Sequence, residues 1–181
     1  MYVCLQQNPP LDRITIRKEP KALACTDEQL RRLIAALGPT VYKLAIAQTR
    51  SVADADDIYQ DVFLRYIRCQ PEFNDSEHQR AWFIRVTVNC CKDYLKRAAR
   101  RDVPLTGAEA ISAALPAQNE KLDEALAALP AQQRALIHLY YYEGYKSDEI
   151  ARILEMNPST VRTGLKRARK KLRDFMEGES F

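Results

Sequence analysis

The chain has 181 residues, 46% hydrophobic and 29% charged, with 5 glycines and a formal net charge of +4. This length and balance exclude a disordered or fibrous protein and allow one ordinary domain or two small ones. No apolar run reaches the roughly 20 residues that span a membrane, and the first twenty residues lack the apolar core of a signal peptide. No membrane insertion and a cytoplasmic location are therefore expected. Five scattered cysteines and two distant histidines show no metal-ligand spacing, so free thiols, no bound metal and no cofactor are expected.

In chain order, residues 1–25 hold Pro9, Pro10 and Pro20 with little periodicity and read as a loose extension. Thr26 then caps a helix whose stripe is Leu30, Leu33, Ile34 and Leu37. Gly38-Pro39 is read as a break, with a second segment from Thr40 through Val41, Leu44 and Ala45 to about Arg50. Asp54 to Arg68 forms a third helix with Ile58, Val62, Phe63, Tyr66 and Ile67 inward and Asp54, Asp56, Asp57, Gln60 and Asp61 outward. Taken alone, that outward face is most simply a solvated acidic surface. A polar loop follows at 70–76, then a helix from about Glu77 to Arg101. Trp82, Phe83, Val86, Cys90, Tyr94 and Leu95 include its core positions, and Arg80, Arg85, Asn89, Lys92, Lys96 and Arg97 lie along its other faces. An aromatic beside spaced cations suits stacking on unpaired bases with phosphates held electrostatically, although a Trp at helical spacing is more often core.

Residues 102–119 mix Pro, Gly, Ala and Ser with few charges and read as a flexible linker. A second domain over 120–177 begins with Leu122, Ala125, Leu126 and Leu129; Pro130 opens its next helix, and Gly144 marks that helix's stop. Ser147 with Asp148 and Glu149 provides a cap and an acidic first turn. The chain turns at Glu155-Met156-Asn157, and Asn157-Pro158 starts a last helix with Val161, Leu165, Ala168 and Leu172 on one face. No acidic residue stands between Asn157 and Arg173. A basic amphipathic helix alone is commonly a solvated surface or a membrane or peptide ligand. The capped helix before it, with small Ala151 where helices cross, makes a helix-turn-helix the better reading. The fold class expected is all-α: two small helical domains, 26–101 and 120–177, joined by a linker, the second ending in a helix-turn-helix.

The stretches ADADDIYQDVFLRYIR, AWFIRVTVNCCKDYLKRAARR, ALAALPAQQRALIHLYYYEGYKSDEIARIL and STVRTGLKRARKKLR, in this order and spacing, make the chain resemble a bacterial RNA polymerase sigma factor. The group it resembles is the small, two-domain, extracytoplasmic-function branch of the sigma-70 family, over about residues 28–175. The resemblance implies that Asp57, Gln60 and Asp61 bind a coiled coil of the largest subunit of core RNA polymerase. It implies that the loop 71–79, with Asn74, and the helix bearing Trp82, Arg85, Asn89, Lys92 and Lys96 open and read the minus-ten element. Ser159, Thr160, Arg162, Thr163, Lys166 and Arg167 would face the duplex of the minus-thirty-five element. The helix after Leu129-Pro130 would meet the flap of the second-largest subunit. An anti-sigma protein is a further partner that the resemblance brings with it.

Two positions depart from the family's pattern: Gly164 stands where arginine is frequent, which would remove a phosphate contact, and Glu155 stands where glycine is frequent. The function implied is a dissociable initiation factor that binds duplex and single-stranded promoter DNA and performs no chemistry of its own. The alternative is a free-standing helix-turn-helix regulator, which leaves the acidic face and the Trp-basic helix without a joint explanation. An enzyme finds no support in a clustered Asp/Glu/His set, a Gly-rich phosphate loop or a Cys–His pair.

Overall fold

The computed structural model describes residues 27–100 and 120–178, so the expectations for 1–25 and for the linker 102–119 lie outside the described residues. Among the described residues there are seven helices and no strand. They are α1 (Asp27–Thr49), α2 (Val52–Cys69), α3 (Ser76–Arg100), α4 (Glu120–Ala127), α5 (Ala131–Tyr141), α6 (Ser147–Ile153) and α7 (Pro158–Glu177).

α1 is one helix across Gly38-Pro39, not two segments. Proline forfeits one helical hydrogen bond, but Leu33, Leu37, Val41 and Ala45 on both sides of it enter the same core, and that shared burial keeps the axis continuous. Gly38 is there for close approach: a Cβ would stand 2.8 Å from the Tyr59 hydroxyl of α2. α2 starts where Ser51 accepts a hydrogen bond from the Asp54 amide at 3.3 Å. It ends at Gln70 in the left-handed region. Asp75 opens α3 by accepting from the His78 amide at 2.7 Å.

These three helices enclose a core rich in aromatic rings. Tyr59, Phe63, Phe83, Tyr66, Trp82 and Phe73 form a chain of tilted and edge-on pairs with centroids 4.9–6.2 Å apart, a geometry that suits ring quadrupoles. The loop at 70–75 is therefore not wholly polar, because Phe73 plugs it onto Trp82. Cys90 and Cys91 are buried beside this core. Burial pushes the Cys90 thiol up to about 12 and the Cys91 thiol higher still, so neither supplies a thiolate for redox chemistry.

The second unit is built on aliphatic residues, with Leu129, Leu136, Leu139, Ile150, Val161 and Leu165 almost fully enclosed. α6 begins one residue earlier than a Ser147 cap requires. Lys146 is the cap residue, and the Glu149 carboxylate takes its backbone N–H at 2.7 Å. Glu155 makes the turn with φ +53°, and Asn157 caps α7 by accepting from the Ser159 amide at 2.9 Å. Ala151 is buried at the crossing of α6 and α7, as expected of a small residue there.

The two units share a core. Leu44 of α1 and Ile84 of α3 are fully buried among the aliphatic residues of the second unit. α5 lies along α1, and α6 meets α3.

Candidate nucleic-acid and protein interfaces

Three polar stripes can be built from the helices upward. On α2, Asp57 and Gln60 are exposed and Asp61 is partly exposed; the i, i+3, i+4 spacing puts them on one face. Asp61 also pairs with Arg65 of the same helix at 3.0 Å. One turn further, Leu64 is 45% exposed on the continuation of this stripe. Sequence reading did not single it out, although it lies outside the buried set Ile58, Val62 and Phe63, and that was the available signal. The stripe thus sets exposed acid and amide groups beside one uncovered leucine.

On α7 the expected residues are brought together. Ser159, Thr160, Arg162, Thr163, Lys166 and Arg167 are all exposed, while Val161, Leu165 and Ala168 anchor the opposite side. Arg162 reaches back to Asp148 of α6 at 2.9 Å, with both side chains more than half exposed. Such pairs contribute at most about 1 kcal/mol, so this arginine is readily redirected to a phosphate or base. Gly164 points elsewhere: a Cβ on it would stand 2.6 Å from Leu136 Cδ1. The glycine serves the approach of α7 to α5, which corrects the expectation that it removes a phosphate contact.

On α3, Arg85, Asn89, Lys92 and Lys96 share one face at i, i+4, i+7 and i+11. Lys92 and Lys96 are exposed, Asn89 is half-buried and Asn74 is exposed at the start of the stripe. Two residues are not presented as expected. Trp82 is 5% exposed, packed between Tyr66, Phe73 and Phe83. It holds the α2–α3 loop in place and is too enclosed to stack on a base, a correction that follows from Tyr66, Phe73 and Phe83 packing edge-on around the indole. Arg85 is 6% exposed and ion-paired with Glu155 from the helix-turn-helix.

That pair belongs to a wider set of polar ties between the units. Arg80 binds Glu143 at 2.5 Å, and Thr40 donates to the same carboxylate at 3.3 Å. His138 Nε2 stands 3.5 Å from the other oxygen, too long for a strong hydrogen bond. The His138 imidazole and the Arg80 guanidinium together hold the Glu143 carboxyl down to about 2 against its burial. Arg134 of α5 donates to the carbonyls of Ala47 and Gln48 at 2.7 and 2.6 Å, and to that of Leu129 within its own unit. α1 has no basic residue within its last turn, and Arg134 brings a cation onto its terminal carbonyls from the other unit. Burial and the nearby Arg50 lower the Arg134 guanidinium to about 10. Between the units lies a cleft of about 780 Å³ bordered by Asn74, Arg80, Trp82, Arg85, Glu143 and Arg152.

An all-helical protein of two units, one with an acidic stripe and a cationic stripe and the other a helix-turn-helix with an exposed cationic helix, defines a DNA-binding protein that also presents a surface to protein. Comparison with known proteins makes the class specific. Residues 33–101 match the family model Sigma-70 region 2, and residues 119–172 match Sigma-70, region 4. The ECF RNA polymerase sigma factor SigM of Mycobacterium tuberculosis is 34% identical over 136 residues, covering 73% of this chain and 69% of that protein. The probable RNA polymerase sigma factor RfaY of Xanthomonas campestris is 31% identical over 179 residues; the match covers 91% of this chain and 44% of that protein, so the chain spans less than half the length of this relative. Among solved structures, the sigma factor RpoE in complex with the anti-sigma factor NepR from Bartonella quintana superposes with a TM-score of 0.66 at 20% identity, over 84% of this chain and 99% of that one. CnrH in complex with the cytosolic domain of CnrY gives 0.61 at 24% identity, over 86% and 92%. The chain belongs to the RNA polymerase sigma factors of the extracytoplasmic-function group.

Proposed function

We propose that the protein is a dissociable initiation factor: it binds core RNA polymerase, directs it to promoters with two DNA-reading stripes and assists strand opening. The observation that carries this reading is the presence, on one chain, of an exposed acidic stripe on α2 and two cationic stripes on α3 and α7. A regulator acting on duplex DNA alone needs only the last of these. In this reading Asp57, Gln60 and Asp61 dock on the largest polymerase subunit, with Leu64 as the apolar anchor, and the α5 region meets the second-largest.

Asn74, Asn89, Lys92 and Lys96 hold the strand opened at the minus-ten element, and Arg85 joins them when released from Glu155. Unpaired bases are held there through amides and cations, with Trp82 supporting the loop from beneath. Ser159, Thr160, Arg162, Thr163, Lys166 and Arg167 read the minus-thirty-five duplex, α7 entering the major groove as the second helix of a helix-turn-helix does. No bond is made or broken by the protein's own residues, and it acts in the cytoplasm, where an anti-sigma protein is an expected further partner. No helix among the described residues is long and apolar enough to cross a membrane.

The test is co-purification with bacterial core RNA polymerase followed by run-off transcription on genomic fragments. A stable complex with new start sites is expected. Asp57→Ala combined with Gln60→Ala should weaken polymerase binding at least tenfold and leave duplex binding unchanged, whereas Arg162→Ala should do the reverse. Duplex binding without a polymerase complex would overturn the reading.

A further inference from the structure

Tyr140, Tyr141 and Tyr142 follow one another at the C-terminal end of α5, and all three are exposed. Tyr142 stacks on His138 with centroids 5.3 Å apart. Tyr140 and Tyr141 meet edge-on at 5.0 Å, and the Arg169 guanidinium of α7 lies over both rings, 5.1 and 5.9 Å from their centroids. A guanidinium resting on aromatic rings is steadied there and keeps its in-plane N–H donors for another acceptor. Arg162 of the same helix is tied to Asp148, whereas no carboxylate among the described residues pairs with Arg169.

Arg162, Lys166, Arg169 and Arg173 recur at i, i+4, i+7 and i+11, so they form one exposed line along α7. Position along that line decides the partner. At about 1.5 Å of rise per residue, Arg169 stands about 15 Å beyond Ser159. The major groove is about 12 Å wide and about 8.5 Å deep. A helix that enters it by the N-terminal turns therefore leaves Arg169 at the rim, among phosphates and beyond the base edges.

We propose that Arg169 is a further duplex contact, a clamp on a backbone phosphate, and that Tyr140 and Tyr141 are its positioning residues. Their rings hold the guanidinium still, so little side-chain freedom is lost when it meets the phosphate. The contact is blind to sequence and adds grip to whatever Arg162 and its neighbours select. It rests on the reading of α7 as the duplex-binding helix.

The test uses the full chain and two dye-labelled duplexes, a promoter fragment from the mapped start sites and the same fragment with its sequence scrambled, each titrated across a salt series. Arg169→Ala should weaken both duplexes alike, about five- to tenfold, and lower the salt slope by about one. Tyr140→Leu with Tyr141→Leu should weaken both about two- to fivefold and add nothing in the Arg169→Ala background. Tyr140→Phe with Tyr141→Phe keeps the rings and should match the wild type, a rescue that a loss of folding in the leucine pair could not explain away. Unchanged affinity and salt slope for Arg169→Ala would overturn the clamp. So would a loss confined to the promoter fragment, which means base reading, or a loss confined to core polymerase binding, which means a protein contact. A phenylalanine pair as weak as the leucine pair would overturn the positioning role and assign the hydroxyls to the phosphate. Arg162→Ala is measured alongside: loss there with none at Arg169 overturns the clamp and keeps α7 as the reader, and the converse keeps the clamp and removes Arg162 from the reading set. The expected losses on DNA without any polymerase complex would keep the clamp and defeat the proposed function.

Discussion

The stripes on α3 and α7 both set arginine and lysine at helical spacing, with an amide on α3 and hydroxyls on α7, yet the fold treats them differently. Every candidate reader on α7 is exposed, and the apolar side of that helix is satisfied within its own unit. On α3, the first arginine of the stripe is buried under a turn 70 residues further along the chain. Helical spacing decides which residues share a face. Whether that face is open depends on what other elements lay across it, and the two stripes separate these questions.

The largest effect is expected where the units share their core. Ile84→Ala should cost about 2–4 kcal/mol, and it should lower the stability of both units together, read by urea unfolding followed at Trp82 and by helical signal. If the aromatic unit alone loosened, the shared core would be wrong and the stripes would be independent. Next, Lys166→Ala with Arg167→Ala should weaken duplex binding about a hundredfold and reduce the salt slope by about two, as measured by titration on promoter fragments across a salt series. A twofold change would mean that α3 carries duplex binding, and the contrast between the stripes would collapse.

A smaller effect concerns acid. The Glu143 carboxyl is held at about 2, below its ordinary value near 4.5, so its contribution to stability is complete above 4.5 and is lost as pH falls from there toward 2. Unfolding curves across that window should be shallower in pH for Glu143→Gln than for the wild type. Equal slopes would show that Arg80, Thr40 and His138 do not depend on that charge. The smallest effect is at Asp148. Its pair with Arg162 is exposed, so Asp148→Ala should alter stability by less than about 0.5 kcal/mol. It should raise duplex affinity slightly, by freeing Arg162 and removing a negative charge beside it.

Much of this was legible in the sequence, because capping and periodicity are local. The Asn157-Pro158 start of α7, the inward set Val161, Leu165 and Ala168, the acidic outward face of α2 and the all-helical class all follow from side chains within a few residues of one another. What was missed is non-local. Gly38-Pro39 reads as a break because propensity favours one, and only the packing of Leu33 and Val41 into a common core reverses it. Trp82 beside cations could have faced a base or the core, and Phe73 and Tyr66 decide for the core. Nothing near Arg85 in the chain announces Glu155, and nothing near Gly164 announces Leu136.

Arg134 on the end of α1 has a consequence for how the protein can be divided. A fragment stopping after α3 would keep the aromatic core but would leave the carbonyls of Ala47 and Gln48 without their cation and Leu44 and Ile84 uncovered. Such a piece should be sticky in solution, pairing with itself or with whatever apolar surface it meets. The reciprocal piece, α4 to α7, would expose to water the part of its aliphatic core that Leu44 and Ile84 now cover, and Arg134 would lose its two carbonyls on α1. The two halves are better regarded as mutual chaperones than as modules, and supplying them as separate polypeptides should rescue the solubility of each.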